Sequence, residues 1–271
     1  MDQNSASNNL RTMASNLIND QLKYFKRKRD LYLFFIFFSL LIFLITYPIM
    51  TLLEARFDDI VTVYLVYLLI GTILFVVFKS KFLVHAMYYK YYKMLSDDQG
   101  PYRVPIKPFT PSFYTRLQRQ GFLDKVEYDD FVIFYQFTKN LQSVRSRRLS
   151  FVAVILTTKP EFDFYQQKVN IALDMIYSNY SDRKKVRNQI VLQFRKYDTY
   201  SEEARNRADQ IINFNETQSA LIQINCDLYL NEGEIYHLRP KKVYPNKFYY
   251  YATNMIQKLC GVETSESGSK R

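Results

Sequence analysis

Two apolar runs, residues 31–53 and 60–78, constrain this chain more than any other feature. The first is relieved by Ser39, Thr46, Tyr47, Pro48 and Thr51, and the second contains no charged residue. A helix rises 1.5 Å per residue, so about 20 apolar residues cross the hydrocarbon core of a bilayer. Both runs reach that length. The six residues between them, 54–59, suffice only for a tight turn, so the sequence predicts an antiparallel transmembrane hairpin.

The flanks predict its orientation. Lys23, Lys26, Arg27, Lys28 and Arg29 precede the first run and Lys79, Lys81, Lys90 and Lys93 follow the second, whereas the turn holds Arg56 against Glu54, Asp58 and Asp59. Lys and Arg in short flanks are retained on the cytoplasmic side, so both termini and the main domain are expected in the cytosol at the plasma membrane. A cleaved signal peptide fits less well, because its apolar stretch is shorter and lacks some 30 polar residues in front.

Residues 1–30 form the expected N-terminal cytosolic segment, where Leu10, Met13, Leu17, Leu22 and Phe25 recur at helical spacing. Such a helix would lie on the inner surface or run straight into the first membrane helix. The hairpin is assigned to residues 31–79. Residues 80–111 are expected as a juxtamembrane helix with an aromatic belt, Tyr88, Tyr89, Tyr91 and Tyr92, followed by an extended linker marked by Pro101, Pro105, Pro108 and Pro111.

Residues 112–262 are expected to form one cytosolic α+β domain, and residues 263–271 a disordered polar tail. A short helix over 112–119 ends at Gly121. Periodicity then predicts the order β-β-β-α-β-α-β-β-α, with strands at 125–128, 131–138, 149–158, 189–196, 220–230 and 235–239 and helices at 161–180, after Ser201 and after Asn246. Residues 151–156 are apolar on both faces, as a central strand covered on both sides requires. Strands joined by hairpins and by helices imply a mixed sheet, in an order that periodicity leaves open.

Charge bears on partners. From residue 80 to the end there are 29 Lys and Arg against 20 Asp and Glu, so +9 of the chain's +11 lies in the expected cytosolic part. A basic domain held against an anionic leaflet is attracted to it. The expected partners are therefore the bilayer, a protein partner or self-association through the membrane helices, with a nucleic acid not expected. Richness in Tyr, Phe, Asn and Lys without Trp fits an AT-rich bacterial coding sequence.

Catalytic motifs are scarce. Cys226 and Cys260 form no CxxC pair and have no His beside them, as clustered zinc ligands require, and no GxGxxG or GxxxxGK occurs. No metal and no cofactor are expected. Two constellations remain. One is a polar sheet face, with Gln193 and Arg195 from one strand and Gln223, Asn225 and Asp227 from another. With Glu161 and Asp163 it would supply the carboxylates of a metal-dependent hydrolase. The other is the run His237, Arg239, Lys241, Lys242, Asn246 and Lys247, which leads into a helix start whose backbone N–H groups attract anions. The basic runs Arg145, Arg147, Arg148 and Arg183, Lys184, Lys185, Arg187 read as surface. The expected function is a membrane-tethered interaction or scaffold module with a basic surface contacting anionic lipid or an acidic protein. The alternative is a membrane-anchored hydrolase acting on an anionic substrate at the inner leaflet.

Overall fold

A computed structural model describes residues 3–52, 56–141, 148–209, 213–216 and 219–262. The chain divides into two compact units, residues 1–96 and 97–271.

The first unit is a helical hairpin of α1 (Gln3–Leu52) and α2 (Phe57–Ser96). Each contains a stretch long and apolar enough to cross a membrane. Of the two expectations for the N-terminal segment, the continuous one holds: α1 enters the apolar run without a break and is about 75 Å long. The helices therefore stay paired beyond the apolar runs. Phe25 stacks on Tyr88 at 4.9 Å and on Tyr92 at 5.4 Å, and the Arg29 guanidinium lies 4.3 Å from the Tyr89 ring. Deeper in the hairpin Phe35 stacks on Phe78 at 5.3 Å, and the Tyr64 hydroxyl donates to the Phe43 carbonyl at 3.3 Å. Pro48 removes one helical N–H, while hydroxyl donors Thr46 and Thr51 bond to the carbonyls of Ile42 and Tyr47. In an apolar solvent these internal bonds matter, because no water replaces them.

The second unit begins at Asp97, ahead of the expected boundary at 112. Residues 97–111 are not a free linker: β1 (Tyr102–Arg103) joins the sheet, Val104 N–H donates to the Gly233 carbonyl and Ile106 N–H to the Cys260 carbonyl. The prolines leave enough donors between them to pin the strap at alternate residues. After it come α3 (Pro111–Arg119), β2 (Asp124–Glu127), β3 (Val132–Thr138), β4 (Leu149–Thr157), α4 (Gln167–Asn179), a 3-10 turn at Arg183–Lys185 and β5 (Val186–Tyr197). The chain continues with α5 (Glu202–Asp209), β6 (Asn213–Glu216), β7 (Ala220–Tyr229), β8 (Glu234–Tyr236) and α6 (Lys247–Leu259).

The sheet order is β1-β8-β7-β5-β4-β3-β2, with β6 also paired to β7. β2-β3-β4 is an antiparallel meander, β4, β5 and β7 are parallel, and β7-β8-β1 is antiparallel again. The mixed sheet is as expected, but the nine-element order needs correction. It lacks β1 and β6, which are too short or too polar to show a period of two, and it omits the leading helix α3. The helix expected from residue 161 begins at Gln167. Residues 161–166 are instead a loop that turns Phe162 and Phe164 into the core. The segment with Arg145 and Arg147 and the expected disordered tail lie outside the described residues.

All nine residues of β4 are buried. One face meets Val169, Ala172, Leu173 and Ile176 of α4 through Phe151, Ala153 and Ile155. The other face of the sheet is covered by α3 and α6, with Phe113 against Phe194 at 5.6 Å. Full burial of one such side chain contributes about 1.5–3 kcal/mol.

Candidate functional site

Because β5 and β7 are parallel neighbours, with Gln193 opposite Asn225 and Arg195 opposite Asp227, period-2 alternation places the expected polar residues on one face. Gln223, opposite Val191, forms the half-buried margin of this stripe. Gln193, Arg195, Asn225 and Asp227 are all buried. Arg195 Nε donates to Asp227 Oδ1 at 3.2 Å and Nη1 to the Phe162 carbonyl at 3.4 Å, and the guanidinium lies 5.4 Å from the Phe164 ring and 5.7 Å from that of Tyr197. The Tyr165 hydroxyl bonds to Asn225, and burial raises its pKa well above the usual phenol value. The loop at 161–166 thus closes over the carboxyl ends of β5 and β7.

This arrangement is an internally neutralised polar core. Neither amide atom of Gln193 has a partner among the described residues. Glu161 and Asp163, the carboxylates that would join Asp227 around a metal, are exposed while Asp227 is buried. Among the described residues no group of three or more metal-ligating side chains converges. Phe162 and Tyr165, which cover the stripe, fall within the helix that periodicity predicts over 161–180, so their spacing does not mark them as a cover.

The structure divides the second constellation. His237 is fully buried, meets Tyr102 edge-on at 5.7 Å, and has neither ring nitrogen bonded among the described residues. Burial and then the nearby Arg239 charge lower its pKa to about 3. The Arg239 guanidinium lies 4.2 Å from the Tyr102 ring, while Lys241, Lys242 and Lys247 are exposed. Asn246 caps α6 as expected, its Oδ1 accepting from Tyr249 N–H at 2.8 Å.

Several backbone donors of this loop are already occupied. Arg239 N–H donates to Asp98 Oδ1 at 3.0 Å, and the Lys242 and Val243 N–H groups donate to Asp97 Oδ2 at 2.6 and 3.0 Å. Asp98 Oδ2 also accepts from the Tyr236 hydroxyl and from Arg205. The anion that this loop attracts through its backbone is the chain's own. Asp97 and Asp98 carry no local sequence signal of this role, since their partners lie more than 100 residues away along the chain.

The chain matches no family model, no curated protein and no solved structure in comparisons of sequence and fold.

Proposed function

We propose that this chain is a membrane-tethered module: the hairpin sits in the plasma membrane, both termini and the α/β unit lie in the cytosol, and basic side chains contact anionic lipid or an acidic protein. The observation that carries the reading is the outward apolar surface of the hairpin. Phe34, Phe37, Leu44, Leu65 and Leu69 are among many large apolar side chains exposed there. A contiguous apolar surface of this extent requires lipid or a partner. The basic flanks support the cytosolic orientation.

Self-association in the bilayer belongs to the same proposal. A groove of about 350 Å³ on the hairpin, nearly all apolar, is lined by Ser39, Val66, Tyr67, Ile70 and Gly71 among others. Small residues let helices approach closely in lipid. The hydrolase reading has less support, given a buried Asp227 apart from its exposed carboxylate candidates.

Carbonate extraction together with a reporter active only outside the cytosol, fused after Arg271, tests the reading. The chain should stay in the membrane pellet and the reporter should stay silent. Release into the supernatant would overturn the tether, and a strong reporter signal would overturn the orientation.

A further inference from the structure

We infer that the α/β unit binds anionic phospholipid headgroups through one end of the sheet, where basic runs distant in sequence converge. The inference rests on the membrane-tethered reading and assigns the surface that reading leaves open. Thr138 of β3 lies opposite Ser150 of β4, and Leu149 of β4 lies opposite Val186 of β5. Lys139, Arg148, Arg183, Lys184, Lys185 and Arg187 therefore gather at the same end of three adjacent strands, which are spaced about 4.8 Å apart. All six are exposed. In residues 139–140, 148–150 and 181–188 the single carboxylate is Asp182, which pairs with Lys185 at 2.8 Å.

Two features make this more than a loose run of charge. The β4–β5 register advances by one extra residue, from Leu149 opposite Val186 to Ser150 opposite Asn188, so Arg187 occupies a bulge. Val186 and Asn188 on either side are buried while Arg187 is exposed. A bulge re-aims a side chain in this way, and such features gather near functional surfaces. The 3-10 turn that carries Arg183, Lys184 and Lys185 is also held in place. The Tyr177 hydroxyl donates to the Arg183 carbonyl at 3.0 Å, and Tyr180 stacks on Phe137 at 3.7 Å.

Headgroups fit this edge better than other polyanions. A cluster of four to eight Lys and Arg on the cytosolic side is the pattern that attracts anionic lipid, and tethering raises the effective lipid concentration. Single-stranded nucleic acid needs aromatic faces to stack on, yet Tyr180 and Phe137 are stacked on each other. Leu149 and Val186 at the strand ends are buried, leaving there, among the described residues, no apolar anchor of the kind protein interfaces use.

The test uses the full chain in nanodiscs, of zwitterionic lipid alone or with about a third anionic lipid. A fluorophore is placed on Ser181→Cys, an exposed position, and a quencher on the lipid headgroups. Cys226 and Cys260 are fully buried and do not compete for the label. Quenching is expected in anionic discs, with loss in zwitterionic discs, at several hundred millimolar salt, and in the variant R148Q/R183Q/K184Q/K185Q/R187Q. The charge-preserving variant R148K/R183K/R187K should retain it. Equal quenching in both lipids, quenching untouched by the five substitutions, or shielding that needs an added acidic protein or nucleic acid would each overturn the inference. A chain that enters discs but is never quenched refutes only this edge, whereas one that fails to enter discs refutes the tethered reading itself.

Discussion

Arg195 and Asp227 face each other across adjacent parallel strands, joined Nε to Oδ1 at 3.2 Å with side chains 7% and 0% exposed. Two charges removed from water in this way depend on each other, since each is the other's replacement for hydration.

Removing one partner should therefore cost more than removing both. Asp227→Asn is expected to lower unfolding free energy by about 3 kcal/mol, and Arg195→Met by a similar amount, because each leaves a buried polar group uncompensated. The double variant R195M/D227L should recover much of that loss. With no Trp in the chain, tyrosine circular dichroism in a denaturant series can follow the transition.

His237 predicts a pH dependence of definite sign. Its folded pKa is lowered to about 3 by burial and then by Arg239, whereas an unfolded histidine titrates near 6.5. The unfolded chain thus binds a proton that the folded chain refuses, and stability complete above the unfolded value is lost as pH falls toward the folded one. Between pH 6.5 and 5 the loss should approach about 2 kcal/mol relative to His237→Leu, which lacks the group. Asp130, held down to about 2 by Lys159 and then Lys168, titrates below that window and leaves the comparison intact.

The two acids at the start of the α/β unit should differ in weight. Asp98, bonded to Arg205, Tyr236 and the Arg239 N–H with a side chain 4% exposed, should cost about 2–3 kcal/mol when changed to Ala. Asp97→Ala removes the acceptor for two N–H groups at an exposed loop and should cost about 1 kcal/mol. Hydrogen exchange at Lys242 and Val243 should quicken in the second variant while the β5 and β7 amides stay protected.

The helix cap offers a local control. Asn246→Ala should destabilise by about 1 kcal/mol, and Asn246→Asp should be close to neutral, because a carboxylate oxygen can accept the same Tyr249 N–H bond. Thermal unfolding of the two variants side by side separates these outcomes.

Local periodicity made a good part of this architecture readable. Apolar runs 31–53 and 60–78 and the doubly apolar stretch in β4 are legible as continuous apolar segments of characteristic length, and Gln193 and Arg195 follow a repeat of 2 residues within one strand. The polar stripe was legible residue by residue for the same reason, and its neutral, covered character was not, since that depends on the 161–166 loop folding back over it. β1 and β6 escaped because two to four residues carry too few repeats to read.

What the sequence by itself determined is the hairpin pattern, the mixed class of sheet and the identity of the polar and basic residues, because these depend on neighbours a few positions apart along the chain. Tertiary structure decided which of those residues meet. The parallel register of β4 and β5, set by α4 packing across the sheet, joins Arg148 to the 183–187 run. The return of residues 97–98 to the 239–243 loop fills donors that a reader of the sequence would offer to a ligand. Both are contacts between segments dozens of residues apart or more, and no local repeat encodes them.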